Sequence, residues 1–262
     1  MKIKIFQVDA FAEELFTGNP AAVCVLNTWL DDNIMQKIAA ENNLAETAFI
    51  VNNGNGYDIR WFTPTIEVDL CGHATLASAY VIFNFLDFKD DEIIFHSPQS
   101  GELRVTKVGD ILFFNFPVDK LERSNSIKEI EICIGIKPIE VLKGKTDYIA
   151  IVESEEEVAN VILNLTAISK LDARGLIVTA VGNNVDFVSR FFAPQSGIDE
   201  DSVTGSAHTS LIPLWSAKLN KQDMVAKQLS PRGGRLICKH DGDRCSIGGK
   251  ASLYLVGEIH ID

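Results

Sequence analysis

The chain states one pattern twice. Arg60-Trp61-Phe62-Thr63-Pro64 returns as Arg190-Phe191-Phe192-Ala193-Pro194, at an offset of 130. Asp69-Leu70-Cys71-Gly72-His73-Ala74 returns loosely as Ser202-Val203-Thr204-Gly205-Ser206-Ala207, and Ser97-Pro98-Gln99-Ser100-Gly101 as Ser230-Pro231-Arg232-Gly233-Gly234, both at 133. The blocks keep their order, and one three-residue insertion accounts for the change of offset. Solenoid and propeller units repeat every 20–50 residues or so, roughly a third of this period. A period this long is the size of a domain. The 262 residues therefore predict two similar domains, 1–118 and 119–262, with the last residues able to cross back to the first. Small-molecule sites are usually built in the cleft between two such domains.

Hydropathy patterning gives both halves one plan. Lys2 to Val8 alternates as a strand, Ala21 to Leu26 follows the turn signal Gly18-Asn19-Pro20, and Asp31-Asp32 cap a helix with Ile34, Met35, Ile38 and Ala39 on one face. Asn53-Gly54-Asn55-Gly56 joins two strands as a hairpin. Ala74 to Phe85 is apolar nearly all round, the mark of a buried helix. Three strands, within 92–116, follow it. Lys120 to Asn125 is polar and reads as a linker. In the second half Glu155 to Asn164 and Ser206 to Leu219 read as helices, with strands at Gly175 to Ala180, Asp186 to Phe192, Gln228 to Cys238, Arg244 to Gly248 and Ala251 to Ile259. The predicted class is α+β, two pseudo-symmetric domains, each an antiparallel or mixed sheet wrapped around a central helix.

Composition excludes several partners. With 24 basic and 36 acidic residues the net charge is −12, which opposes attraction to nucleic acid and to anionic membranes. No apolar stretch reaches the length of a membrane helix, and the N-terminus lacks the apolar core of a signal peptide. The five cysteines are scattered without a C-x-x-C pair, so neither a disulfide framework nor a zinc site is expected, and a cytoplasmic location is. Phosphate-loop, dinucleotide, H-E-x-x-H and G-x-S-x-G signatures are missing.

Chemistry gathers at the heads of the two central helices. Gly72 and Gly205 sit there, where unpaired backbone N–H groups and the helix dipole suit an anion. Either glycine alone reads as a tight turn; the pair in equivalent positions points to one bound carboxylate. His73 is a candidate acid, base or hydrogen-bond donor, although a lone histidine is more often structural. Asp201, Thr204 and Ser206 precede the second helix, with capping as their plain role. His208, one turn further, reads as helix surface. Glu46, between a helix and a strand, is by pattern an ordinary loop carboxylate that partial burial would tune for proton transfer. At the first offset it aligns with Leu176.

Gly18-Asn19-Pro20, Asn43-Leu44-Ala45-Glu46-Thr47-Ala48-Phe49, Phe62-Thr63-Pro64 with Glu67, Cys71-Gly72-His73-Ala74 and Asp201-Ser202-Val203-Thr204-Gly205-Ser206-Ala207 together resemble the phenazine-biosynthesis PhzF-like family. The motifs run in the family's order across both halves. The resemblance implies the diaminopimelate-epimerase-like fold and a cofactor-independent isomerase, commonly a homodimer, that binds no metal. It implies Glu46 as the proton-moving acid/base, His73 and Asp201 as its catalytic companions, and Cys71, Gly72, Thr204, Gly205 and Ser206 around the substrate. The expected substrate is a small, cyclic, unsaturated carboxylic acid. Racemases of this fold use two cysteines, one per central helix; here Cys71 faces Thr204, far too weak an acid to replace a thiol. An epimerase using Cys71 with another partner, and a non-catalytic binding protein, remain the alternatives.

Overall fold

In the computed structural model, which describes residues 1–261, the chain divides into two units. The first holds residues 1–115 with a return segment from 248 onward, and the second holds 116–247.

In the first unit, strands β1 (Lys2–Ala10), β2 (Asn19–Leu26), β3 (Glu46–Asn52) and β4 (Tyr57–Phe62) lie side by side, with helix α1 (Asp32–Asn42) linking β2 to β3. That crossover makes β2 and β3 parallel, while β1–β2 and β3–β4 are antiparallel. The short β5 (Glu67–Val68) leads into the central helix α2 (Gly72–Phe85), and β6 (Glu92–Ser97), β7 (Gly101–Val108) and β8 (Ile111–Pro117) form a meander, β6 lying parallel to β4. The apolar periphery of α2 is explained by its surroundings: nearly every residue from His73 to Ala79, with Val81 and Ile82, is buried. Met35, Ile38 and Ala39 of α1 cover the opposite face of β2 and β3, packing on Cys24, Phe49 and Val51. Strands covered on both faces read as continuous apolar runs rather than alternating ones.

The second unit repeats this plan with a longer lead-in. Its elements are β9 (Glu122–Arg123), α3 (Ile127–Ile134), β10 (Glu140–Lys143), β11 (Asp147–Ile151), α4 (Glu155–Ala159), α5 (Leu165–Ile168), β12 (Gly175–Val181), β13 (Phe187–Ala193), β14 (Ile198–Asp201), α6 (His208–Leu219), β15 (Asp223–Gln228), β16 (Gly234–Asp241) and β17 (Arg244–Gly249). Strands β11 and β12 are parallel, β12 and β13 antiparallel, and β13 and β15 parallel, reproducing β2–β3, β3–β4 and β4–β6. The outer face is covered by three short helices, whose Ile130, Ile134, Val158 and Ile168 pack on Val178, Val188 and Phe192. The last strand, β18 (Ala251–His260), returns to pair antiparallel with β1.

Three expectations need correction. Residues 120–125 are not a free linker, because Glu122 and Arg123 pair with Lys143 and Leu142 of β10. The helix expected over Glu155–Asn164 stops at Ala159; Asn164 instead caps α5 through its side chain, accepting from the Ala167 N–H at 3.0 Å. The second central helix starts at His208 rather than Ser206, because residues 205–207 wind as turns, with bonds such as His208 N–H to Gly205 O at 3.0 Å. Helix α6 also contains Pro213. Its missing N–H leaves the Thr209 carbonyl without its helical donor, and the Asp119 N–H fills that place at 3.1 Å.

The duplication is also carried by ion pairs. Arg60 forks onto Glu67 at 2.7 and 2.6 Å, and Arg190 onto Glu200 at 2.7 and 2.9 Å. Each guanidinium stacks on a phenylalanine of its own strand, Phe62 or Phe192. The repeated arginine is the first letter of the repeated block.

Candidate functional site

Local structure delivers Glu46 to the head of α2. Asp31 starts α1 by accepting from the Asn33 N–H at 2.9 Å, and Asn43 ends it in the left-handed region at φ 48°. Three residues later Glu46 opens β3, opposite Ala21 of β2. It is therefore a buried strand residue rather than the loop carboxylate expected. Cys71 is extended at φ −138°, ψ 110°, and α2 starts at the next residue, with Thr75 Oγ1 donating back to the Cys71 carbonyl at 2.6 Å.

Glu46, Cys71 and His73 converge. His73 Nε2 lies 3.1 Å from Glu46 Oε2 and Cys71 Sγ lies 3.5 Å from His73 Nδ1. Asn19 Nδ2 stands 3.2 Å from the same Nδ1. In the neutral ring Nδ1 then accepts, and the proton sits on Nε2 toward Glu46. Glu46 Oε2 is buried and has no hydrogen-bond partner of good geometry, so its contact with Nε2 is an ion-pair contact off the N–H axis.

The electrostatics follow from that crowding. Burial raises the Cys71 thiol and the Glu46 charge adds to it, bringing the value to about 11, so Cys71 is a thiol at neutral pH. Burial alone would lower His73, but negative charge on Cys71 or Glu46 outweighs it and holds His73 well above its ordinary value. With Cys71 protonated, Glu46 supplies that charge. Burial would likewise raise Glu46; the adjacent His73 charge, with a smaller contribution from Cys71, overcomes it and keeps the carboxyl below its ordinary value. The unit thus holds an ionised carboxylate against a protonated imidazole, a pair able to exchange one proton with a bound molecule. Gly72 and His73 are the first two residues of α2, whose N–H groups have no acceptor within the helix. A methyl group on Gly72 would meet nothing within 4 Å, so the space beside the Gly72 Cα is open.

In the second unit, Thr204 Oγ1 donates to Asp201 Oδ2 at 2.5 Å, and Gln228 accepts from the Thr204 N–H at 2.9 Å. Ser206 Oγ accepts from Arg174 at 3.0 Å, and Arg174 is itself forked onto the buried Asp147. His208 is fully buried rather than at the helix surface, with Nδ1 donating to the Thr204 carbonyl at 2.9 Å and Phe187 beside its ring. Burial pushes its pKa down to about 4, so it is neutral.

Glu46 lies 25 residues before the Cys71-Gly72-His73 motif in the chain, and the first unit brings them together. Asp201 and Thr204 meet in the second unit, while Ser206 is bonded to Arg174. Asn19, Arg174 and Gln228 were passed over. Asn19 read as a turn residue, and its side-chain role has no signature of its own. The repeat alignment also shifts by one. Thr47 pairs with Phe62 and Leu176 with Phe192, so Glu46 corresponds to Gly175, not Leu176. The second copy still offers no carboxylate there.

Comparison with known proteins extends this picture. Residues 8–257 match the PhzC-PhzF family model, described as phenazine biosynthesis-like protein. The chain is 48% identical, over 100% of both lengths, to a protein of Pseudomonas aeruginosa described as an uncharacterized isomerase. It is also 48% identical to a PhzF-family phenazine biosynthesis protein of Enterococcus faecalis, whose crystal structure superposes with a TM-score of 0.97 over 100% of both chains. A hydroxyproline epimerase from Agrobacterium vitis shares the fold alone, at a TM-score of 0.62 and 7% identity, over 98% of this chain and 92% of that one.

Proposed function

This chain belongs to the phenazine biosynthesis-like PhzC-PhzF family, and on that premise we propose that it is an isomerase that moves a proton along a small unsaturated, cyclic carboxylic acid. Glu46 takes the proton from one carbon and returns it to another. His73 holds the carboxylate in place and keeps it ionised until substrate arrives. The observation that carries the reading is the buried Glu46–His73 pair at 3.1 Å beside an open helix N-terminus. Backbone N–H groups suited to a substrate carboxylate stand at Gly72 and His73, the first residues of α2. In the second unit Asp201, which accepts from Thr204 Oγ1, is a carboxylate able to orient a polar group of a ligand.

A racemase reading built on Cys71 has less support. Its thiol is pushed up to about 11, and Thr204, in the repeat position, gives its hydroxyl proton to Asp201. Incubation with a panel of cyclic unsaturated acids in heavy water tests the proposal. Deuterium should enter at carbons allylic or α to the carboxylate, with Cys71→Ser keeping at least about a tenth of the rate. A protein that binds such acids tightly and exchanges nothing would be a binding protein. Exchange abolished in Cys71→Ser would restore the racemase.

A further inference from the structure

Glu46, Cys71 and His73 present one oxygen, one sulfur and one nitrogen donor, all within 4.8 Å of one another. We propose that these three residues bind a borderline divalent cation, Zn²⁺ foremost, through Glu46 Oε2, Cys71 Sγ and His73 Nε2, and that the bound ion switches the isomerase off. The binding stands on geometry alone; the inhibition rests on the acid/base role given to Glu46.

Zinc bond lengths of about 2.3 Å to sulfur and about 2.0–2.2 Å to nitrogen or oxygen place tetrahedral ligand atoms about 3.4–3.7 Å apart. Here Nε2 to Oε2 is 3.1 Å, Sγ to Nε2 is 4.0 Å and all three donors lie within 4.8 Å of one another, so side-chain rotation completes the face. The direction of the Glu46–His73 contact also fits. A hydrogen bond puts the oxygen on the N–H axis, whereas two ligands of one metal sit to the side of each other's axes, as Oε2 does relative to Nε2. Glu46 Oε2 is buried, and its 3.1 Å contact with Nε2 lacks hydrogen-bond geometry.

Asn19 suits the role of a supporting residue. A metal on Nε2 requires the proton on Nδ1, and turning the Asn19 amide offers Oδ1 to receive it. Three protein ligands leave the fourth position to water. The sulfur selects Zn²⁺ or Co²⁺ over Mg²⁺ or Ca²⁺, which prefer all-oxygen sites. On binding, the Cys71 S–H and His73 Nε2–H protons pass to buffer, and the hydrated ion sheds all its coordinated waters but one. Bonds from Sγ, Nε2 and Oε2 to the metal replace them. With Oε2 bound to the metal and its charge neutralised, Glu46 is a much weaker base toward a substrate proton.

Titration of the metal-free full-length protein with Co²⁺, followed by absorbance, tests this. One equivalent should give intense visible bands of tetrahedral cobalt and a near-ultraviolet sulfur-to-cobalt charge-transfer band. That band should vanish in Cys71→Ser and in Cys71→Ala but persist in Cys133→Ser, and Glu46→Gln should weaken binding at least about tenfold. Zn²⁺ should bleach the cobalt spectrum and suppress deuterium exchange at least about tenfold, with a chelator restoring it. Unchanged far-ultraviolet circular dichroism identifies variants that still fold. No charge-transfer band, or one that survives both Cys71 variants, overturns the site. A correct band with undiminished exchange overturns the inhibition. A correct band on a protein that exchanges no substrate when metal-free keeps the site and removes the isomerase reading.

Discussion

Gly18 and Gly101 form a matched pair on which the account of the first unit can be weighed. Gly18 takes φ 69° at the turn into β2, next to Asn19, and Gly101 takes φ 70° at the start of β7. Alanine at either position meets the same left-handed backbone cost of about 1 kcal/mol. The surroundings differ. A Cβ on Gly101 would meet nothing within 4 Å. On Gly18 it would overlap the Ala10 carbonyl oxygen and lie 2.9 Å from the Ala12 Cβ and 3.0 Å from its nitrogen. These obstacles are backbone or backbone-fixed atoms, which cannot turn away as a flexible side chain does, so overpacking adds about 1–3 kcal/mol. Gly18→Ala should therefore cost about 2–4 kcal/mol and Gly101→Ala about 1 kcal/mol. With about 4 °C per kcal/mol for a unit of this size, the melting temperature should fall by about 8–16 °C and about 4 °C respectively. Differential scanning calorimetry on both variants reads the difference within one unit. Equal shifts, or the larger one at Gly101, would refute the steric reasoning. Any Gly18→Ala protein that folds should also lose exchange activity, because Asn19 moves with its neighbour.

Two further predictions concern the second unit and the repeat. His208 is neutral in the fold at a pKa of about 4 against an ordinary 6.5, so the unfolded chain binds a proton that the native state refuses. Stability is lost as pH falls from about 6.5 toward 4, by about 2 kcal/mol from pH 7 to pH 4.5. Urea titrations should show that loss shrinking by the same amount in His208→Gln; an unaltered acid dependence would place the effect elsewhere. Arg60→Gln and Arg190→Gln each remove a forked pair from a half-buried carboxylate, and each should cost about 2 kcal/mol in denaturant titrations. One neutral and one costly variant would show that the repeat is conserved in shape but not in energy.

The two-unit plan was legible because a duplication leaves traces in turn and helix-head residues, which backbone geometry constrains tightly. Gly72 and Gly205, and the two arginines, are such traces. The shortened helix at 155–159 was not legible, because three consecutive glutamates favour a helix start and say nothing about its length. Nor was the burial of His208: α6 also carries Thr209, Ser210, Ser216 and Lys218, and pattern alone cannot tell a core imidazole from an exposed one. Glu46 was identified by motif rather than by physics. Its burial depends on α2 and α1 covering β3 from both sides, a fact of tertiary structure that no local window contains. The one-residue slip from Leu176 to Gly175 has a similar origin, since the strand register, not the spacing of the blocks, decides which residues are equivalent.

The central claim is that a single carboxylate, Glu46, carries the proton. Glu46→Gln preserves the size of the side chain and removes its basicity. Deuterium incorporation from heavy water into an accepted substrate, measured by mass spectrometry on wild-type and variant protein of equal melting temperature, isolates that difference. The account predicts exchange slowed about 10²–10⁴-fold in Glu46→Gln. Exchange at the wild-type rate in that variant would contradict it.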